Sequence, residues 1–304
     1  MGEELVSGVV MRAATLEDVD AITAVAASAE LAANGVVDID REDVEAELSL
    51  ASVEHGRHAV VAEADGTVIA WAVLEVERGA VYVDVDPEHR GRGIGSSLVD
   101  WIERSAREAG LSNVGQTRSD AETDAKALLE ARDWLPRWTS WMLEYLMGDD
   151  EPPAPEIPDG ILLRDYELGA DDRVVHQLVD EAFGEWEGRG AQSFEQWAGH
   201  TIRRETFDPT VSPLAVDGDE IVGAAMTLVY PNDDDGYVHQ LAVKRTHRNR
   251  GIARALLQQT FLRFHRMGRR SVVLSTESRT GALSMYERVG MRVRRSYTSY
   301  AKDL

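Results

Sequence analysis

The chain has 304 residues, 43% hydrophobic and 28% charged, the balance of a globular protein long enough for two domain cores. Its net charge of −22 argues against nucleic-acid or anionic-membrane partners, and the absence of cysteine excludes disulfides, thiolate metal sites and cysteine nucleophiles. No apolar run reaches the roughly 18 residues of a membrane helix and no leader peptide is recognisable, so a cytoplasmic location is expected.

In chain order, Val9–Ala13 reads as an apolar strand, and Thr15-Leu16-Glu17-Asp18 as a helix start with acids in its first turn. Two apolar runs, His58–Glu63 and Thr67–Leu74, flank a turn at Asp65-Gly66, a strong hairpin signal. The strand Val83-Asp84-Val85 then leads through a turn into Arg90-Gly91-Arg92-Gly93-Ile94-Gly95. An amphipathic helix follows, carrying Leu98, Val99, Ile102 and Ala106 on one face. A second helix, Ala125 to Arg132, and a closing strand, Trp138 to Met147, complete a first half at residues 1–148. Residues 149–160, with Pro152, Pro153, Pro155 and Pro158 among acids, read as a stiff linker.

The second half, 161–304, repeats this order. Ile161–Asp165 is a strand, and Val174, Val175, Leu178, Val179 and Phe183 mark a helix. Pro213–Val216 and Glu220–Leu228 form a hairpin about Asp217-Gly218-Asp219. Leu241-Ala242-Val243 then leads into Arg248-Asn249-Arg250-Gly251-Ile252-Ala253, with Gly251 standing 158 positions after Gly93. Ala255, Leu256, Phe261 and Leu262 face one side of the next helix. A helix from Thr280 to Arg288 and a strand from Arg294 to Ala301 close the half.

A strand feeding a glycine-rich turn at a helix start can hold a diphosphate on backbone N–H groups, aided by the positive end of the helix dipole. Gly93 and Gly251, having no Cβ, would let a phosphate approach the backbone. Lys244, Arg245, Arg248, Arg250 and Arg254 crowd the second turn, in a chain where lysine occurs only at 126, 244 and 302. Asp233-Asp234-Asp235-Gly236 lacks the ligand spacing of a calcium loop and reads as a solvated turn, and no metal site is expected. The acid excess reads either as solvated surface or as a cleft attracting a cationic amine.

In both halves this order of elements, with Arg-x-x-Gly-x-Gly/Ala opening the third helix, resembles the GCN5-related N-acetyltransferase (GNAT) superfamily. The duplication resembles its tandem-domain members, such as mycothiol synthase. The resemblance implies an α/β fold of two tandem GNAT-like domains, each a twisted mixed sheet flanked by helices. It implies acetyl-coenzyme A bound by the turns at Arg90–Gly95 and Arg248–Ala253. The preceding strands, Val83 and Val85 or Leu241, Ala242 and Val243, would hydrogen-bond the pantetheine arm.

Ala282 to Met291 matches the family's Ala-x-x-x-Tyr-x-x-x-Gly helix, which places Tyr286 as the donor that protonates the departing thiolate. The first half has Leu129 there and Asp133 for the glycine, so the C-terminal half is expected to catalyse and the N-terminal half to be non-catalytic. The strand glutamate of some members is replaced by Tyr237. His239 is the candidate base, directly or through water, with a sheet-bonded histidine as the alternative. Glu185, Trp186 and Tyr237, with Phe194 and Trp197 nearby, are candidates for the acceptor pocket, against a plain packed corner. Arg279 replaces an asparagine usual before this helix. The expected activity is acetyl transfer to the amine of a small-molecule acceptor, and the alternative is an acyl-coenzyme A-binding regulatory module.

Overall fold

The computed structural model describes residues 3–6, 8–50, 58–185, 190–231 and 233–304. The chain divides into two compact units: Met1–Thr139 with Arg295–Leu304 (unit 1), and Ser140–Arg294 (unit 2). Each is a mixed sheet with helices on both faces.

Unit 1 contains β1 (Glu3–Val6), β2 (Val9–Ala13), α1 (Val19–Asn34), α2 (Arg41–Leu50), β3 (Ala59–Ala64), β4 (Thr67–Glu75) and β5 (Ala80–Val85). It continues with α3 (Ile94–Glu108), β6 (Asn113–Ser119), α4 (Thr123–Glu130) and the first part of β7 (Leu135–Leu146). Side-chain alternation assigns the faces. Val60, Ala62, Ala70 and Ala72 pack under Ile94, Leu98 and Ile102 of α3. Val61, Trp71 and Val73 pack under Ile22, Val44 and Leu48 of α1 and α2. Burial on both faces explains why β3 and β4 read as continuous apolar runs rather than alternating ones.

Unit 2 holds β8 (Ile161–Asp165), α5 (Asp172–Phe183), α6 (Phe194–His200), β9 (Pro213–Asp217), β10 (Glu220–Val229) and β11 (Asp235–Val243). Then follow α7 (Ile252–Arg266), β12 (Ser271–Glu277), α8 (Leu283–Arg288) and β13 (Arg292–Asp303). The sequence pattern located all of these except β1, α2, β6, α6 and β12. Helix α6 has a clear local cause: Ser193 and Gln196 form a reciprocal capping box.

The closing strands depart from expectation. Trp138–Met147 and Arg294–Ala301 were each expected to finish the half that contains them. Instead β13 pairs with β6, from Tyr297 opposite Ser119 to Asp303 opposite Asn113. Strand β7 pairs with β12, from Ser140 opposite Glu277 to Leu146 opposite Ser271. The partition at 1–148 and 161–304 is corrected accordingly. Within unit 1 the strand order is β1-β2-β3-β4-β5-β6-β13, and within unit 2 it is β7-β12-β11-β10-β9-β8. Among the described residues, β5–β6 and β11–β12 are the parallel pairs. The exchanged strands are well packed: Tyr145 of β7 stacks on Phe261 with ring centres 4.1 Å apart. Tyr300 of β13 is buried in the cluster that contains Trp134 and Val114.

Residues 149–160 have no regular structure and belong to unit 2. They run along α7, where Arg254 pairs with Glu156, Arg266 with Glu151, and the Glu156 N–H donates to Gln258. No helix among the described residues is long and apolar enough to cross a membrane.

Candidate functional site

The two glycine turns have the same backbone. Each strand ends in a short 3-10 turn, Pro87–His89 or Arg245–His247. Left-handed residues follow at alternate positions: Gly91 (φ 75°) and Gly93 (φ 87°), Asn249 (φ 60°) and Gly251 (φ 87°). Asparagine is among the few residues with a side chain that enter this region readily, so Asn249 reproduces Gly91. A Cβ on Gly93 or Gly251 would meet its nearest atom at 3.6 Å, ordinary contact. Glycine is therefore required by the backbone angle rather than by protein crowding. The N-caps of α3 and α7 receive no side-chain hydrogen bond, so their first N–H groups are not capped that way. One arginine braces each turn: Arg90 Nε donates to Val85 O and Arg248 Nε to Val243 O, both at 3.2 Å.

Next to each turn the two parallel strands separate. Among the described residues, the ladder of β11 with β12 runs from Asp235 to Tyr237 and ends there, short of the glycine turn. Strand β5 pairs with β6 only at Ala80. On its other side β11 carries a bulge that β5 lacks. Met226 faces Gln240 while Thr227 faces Val238, so His239 is the extra residue.

In unit 2 these features open into one cleft of about 990 Å³. It brings together Tyr237, His239, Leu241, Ala242, Val243, Arg248, Asn249, Gly251, Ile252, Ala253 and Tyr286. Tyr286 sits on α8 inside the cluster of Leu257, Phe261 and Met291, and burial pushes its hydroxyl up to about 12. Burial also raises the Tyr237 hydroxyl, against a hydrogen bond with Ser275. The Tyr237 and His239 rings lie 6.2 Å apart.

Some expected residues stand elsewhere. Arg250 turns to Asp217 at 3.4 Å, outside the cleft lining. Glu185 pairs with Arg248 at 2.7 Å and does not line the cleft itself. Trp186 lies outside the described residues. Trp197 is buried and donates its indole N–H to Gln240 at 3.0 Å, and Phe194 lies under Arg173, so this aromatic pair packs a corner. Arg279 folds back onto Glu277. The basic island is largely neutralised: Lys244 pairs with Glu220, Arg248 with Glu185, Arg250 with Asp217 and Arg254 with Glu156. These exposed pairs are weak and exchangeable for an anion.

Sequence reasoning missed Ser275, Met285, His200 and Thr201, which also line the cleft. Thr201 is 0% exposed, and its Oγ1 has no hydrogen-bond partner among the described residues. No sequence signal marks it, because α6 itself was not anticipated.

Unit 1 differs in the same region. Val83, Val85, Arg90, Gly91, Gly93, Ile94 and Gly95 line a smaller cavity of about 400 Å³, and Arg92 does not. A second cavity of about 500 Å³ lies beside α1 and α2. Between them stands Arg118, its side chain 11% exposed. It donates to Val83 O at 2.7 Å, to Asp84 Oδ1 at 3.1 Å and to Glu122 Oε1. Burial opposes the charge of Arg118, but the two carboxylates outweigh it and hold the guanidinium above its usual range. Leu129, at the position matching Tyr286, is 2% exposed and belongs to the core. No group of three or more His, Asp or Glu side chains placed to hold a metal ion occurs among the described residues.

Comparison with known proteins places the same folds on both halves of the sequence. The acetyltransferase (GNAT) family profile matches residues 26–134 and 172–291. A mycothiol acetyltransferase from Geodermatophilus obscurus is 28% identical over 292 residues, covering 91% of this chain and 90% of the relative. A second, from Nocardia farcinica, is 28% identical over 305 residues, covering 94% and 95%. Among solved structures, a GCN5-related N-acetyltransferase from Sphaerobacter thermophilus matches with a TM-score of 0.77 at 32% identity, over 99% of this chain and 97% of that one. A tandem GNAT protein from the clavulanic acid biosynthesis pathway matches at 0.65 and 15% identity, over 97% and 98%, a likeness of fold alone.

Proposed function

The chain belongs to the acetyltransferase (GNAT) family and is an N-acetyltransferase, and from that premise we propose that unit 2 transfers the acetyl group of acetyl-coenzyme A to an amine of a small molecule. The observation that carries this is continuity. In one cleft the left-handed turn at Asn249 and Gly251, the part of β11 beyond its ladder with β12 and the phenol of Tyr286 meet. Unit 1 has the first two features but Leu129 for the third.

The cleft suits acetyl-coenzyme A. Its uncapped helix start and left-handed turn offer converging N–H groups to a diphosphate, and the edge of β11 offers peptide donors and acceptors to an amide-bearing arm. Bound there, acetyl-coenzyme A supplies an activated carbonyl that an amine can attack. Backbone N–H groups of the separated strand would stabilise negative charge developing on that carbonyl oxygen. Tyr286, placed on α8 at the cleft, would donate its proton to the departing sulfur. Burial, which raises the hydroxyl to about 12, keeps it protonated but weakens it as an acid, so the transfer relies on its position beside the sulfur. His239, displaced by the bulge into the cleft, would take the proton released by the amine, directly or through water. Holding both reactants in one cleft supplies the entropic part of the acceleration.

On the acceptor side, His200, Thr201, Tyr237 and Ser275 make a hydrogen-bonding lining. The relatives named mycothiol acetyltransferase support a small-molecule acceptor. The test is release of free thiol from acetyl-coenzyme A across a panel of amines. Amine-dependent release supports the proposal; uptake of the thioester with no release under any amine would leave only a binding module.

A further inference from the structure

We propose, on the assignment of acetyl-coenzyme A to the cleft of unit 2, that the side chains of Asp84, Arg118 and Glu122 form a built-in plug that closes the equivalent groove of unit 1. Each chain then takes up one cofactor, not two. The equivalence of positions follows from strand pairing. Ala72 faces Val83 as Ala225 faces Leu241, and Trp71 faces Asp84 as Ala224 faces Ala242. The interval from Gly93 to Gly251 likewise matches Arg118 to Thr276 and Glu122 to Thr280. Where unit 2 has Ala224, Ala242, Thr276 and Thr280, all small and uncharged, unit 1 has Trp71, Asp84, Arg118 and Glu122.

The consequence is visible as space. In unit 2 the groove is continuous, a cleft of about 990 Å³ that reaches from Gly251 at the turn to Thr201 beside α6. Unit 1 has two cavities, about 400 Å³ at the turn and about 500 Å³ beside α1, and Arg118 and Glu122 line both. They are the common wall. Acyl transfer requires the thioester to pass from the turn to the acceptor, and in unit 1 that route runs through a guanidinium.

The plug is held from several sides. Asp84 also accepts the indole N–H of Trp71 at 3.0 Å, and Glu122 also accepts the N–H of Ser119 at 3.3 Å. Arg118 occupies the Val83 carbonyl, where an arm lying along β5 would hydrogen-bond. Displacing it would strand two carboxylates in a largely buried setting, so an incoming chain of amides cannot compete. The left-handed turn at Gly91 and Gly93 persists in unit 1 as the start of α3.

Titration calorimetry of the full chain with coenzyme A tests this. One equivalent is expected for the native sequence and none for Gly251→Val, whose thermal melt checks that it is folded. Two equivalents in the native sequence, or one remaining in folded Gly251→Val, would overturn the plug. No uptake by the native sequence would instead overturn the assignment of unit 2 on which the plug rests. The triple replacement Asp84→Ala, Arg118→Thr, Glu122→Thr copies unit 2 at these positions and removes the three charges together, and Arg90, which loses Glu122 at 3.9 Å, stays part-exposed to solvent. This variant is expected to gain a second, weaker equivalent, and a folded triple variant that still takes one would overturn the assignment of the block to these three residues.

Discussion

Tyr286 owes its proposed role to where α8 puts it. An exposed phenol titrates near 10, but burial lifts this one to about 12, so it keeps its proton throughout the neutral range. Tyr286→Phe should therefore lower kcat by roughly 10²- to 10⁴-fold while leaving the affinity for coenzyme A nearly unchanged. A variant of normal turnover would exclude Tyr286 as the donor. In the native enzyme, loss of the donor by ionisation should appear only as pH approaches 12, above the usual phenol range. Thr201 poses a complementary case: a buried hydroxyl at the cleft with no partner among the described residues. Thr201→Val preserves shape and removes an unsatisfied group, so stability should hold or rise by about 1 kcal/mol. If the hydroxyl serves the acceptor, kcat/KM for the amine falls while that for acetyl-coenzyme A does not. Equal values for the amine in both proteins would assign Thr201 to packing alone. Tyr286 was legible through resemblance, because Ala282 and Gly290 frame it as in the family's helix motif. Thr201 was not, since a single polar residue carries no period.

Among the elements, β2 and β8, each leading into the first helix of its unit, share a device beyond their hydrophobic pattern. Arg12 forks onto Asp18 with Thr15 N donating to the same carboxylate, and Arg164 forks onto Asp171 with Glu167 N doing likewise. Hydrogen bonds from Arg12 hold Asp18 below the usual carboxylate range. Burial opposes the same shift at Asp171, but the hydrogen bonds from Arg164 prevail. A carboxylate depressed in the folded state stabilises above its unfolded pKa of about 3.9, and that stability disappears as pH falls through the lower folded value. Denaturant midpoints should therefore fall below about pH 4, and Arg164→Gln should lose roughly 1–3 kcal/mol at pH 7 with a flatter acid limb. An unchanged midpoint at pH 7 would show that the fork contributes nothing. Asp18 was read as a helix start from composition, but its arginine partner lies on a strand and only the folded chain brings them together. The bulge at His239 is similar: the run Tyr237–Val243 reads as unbroken strand, and the extra residue shows only against the register of β10.

The exchange of closing strands governs how the molecule can be divided. Strand β13 completes the sheet of unit 1, and β7 that of unit 2, although each is encoded in the other half. Cutting the gene at residues 149–160 would give a 1–148 fragment lacking the antiparallel partner of β6 and a 161–304 fragment lacking the antiparallel partner of β12. Neither fragment is expected to fold alone, while mixing them should restore the native circular dichroism and amide protection. Independent cooperative melting of either piece would contradict the exchange. The sequence by itself determined the element types, the duplication, the two glycine turns and the tyrosine that distinguishes the halves, because these are local patterns of period, turn chemistry and spacing. Tertiary structure alone decided which strand pairs with which, since a period of two records that a strand is paired but not its neighbour. It also decided that one groove is open and the other shut, because Asp84, Arg118 and Glu122 meet only when β5, β6 and the start of α4 are folded together.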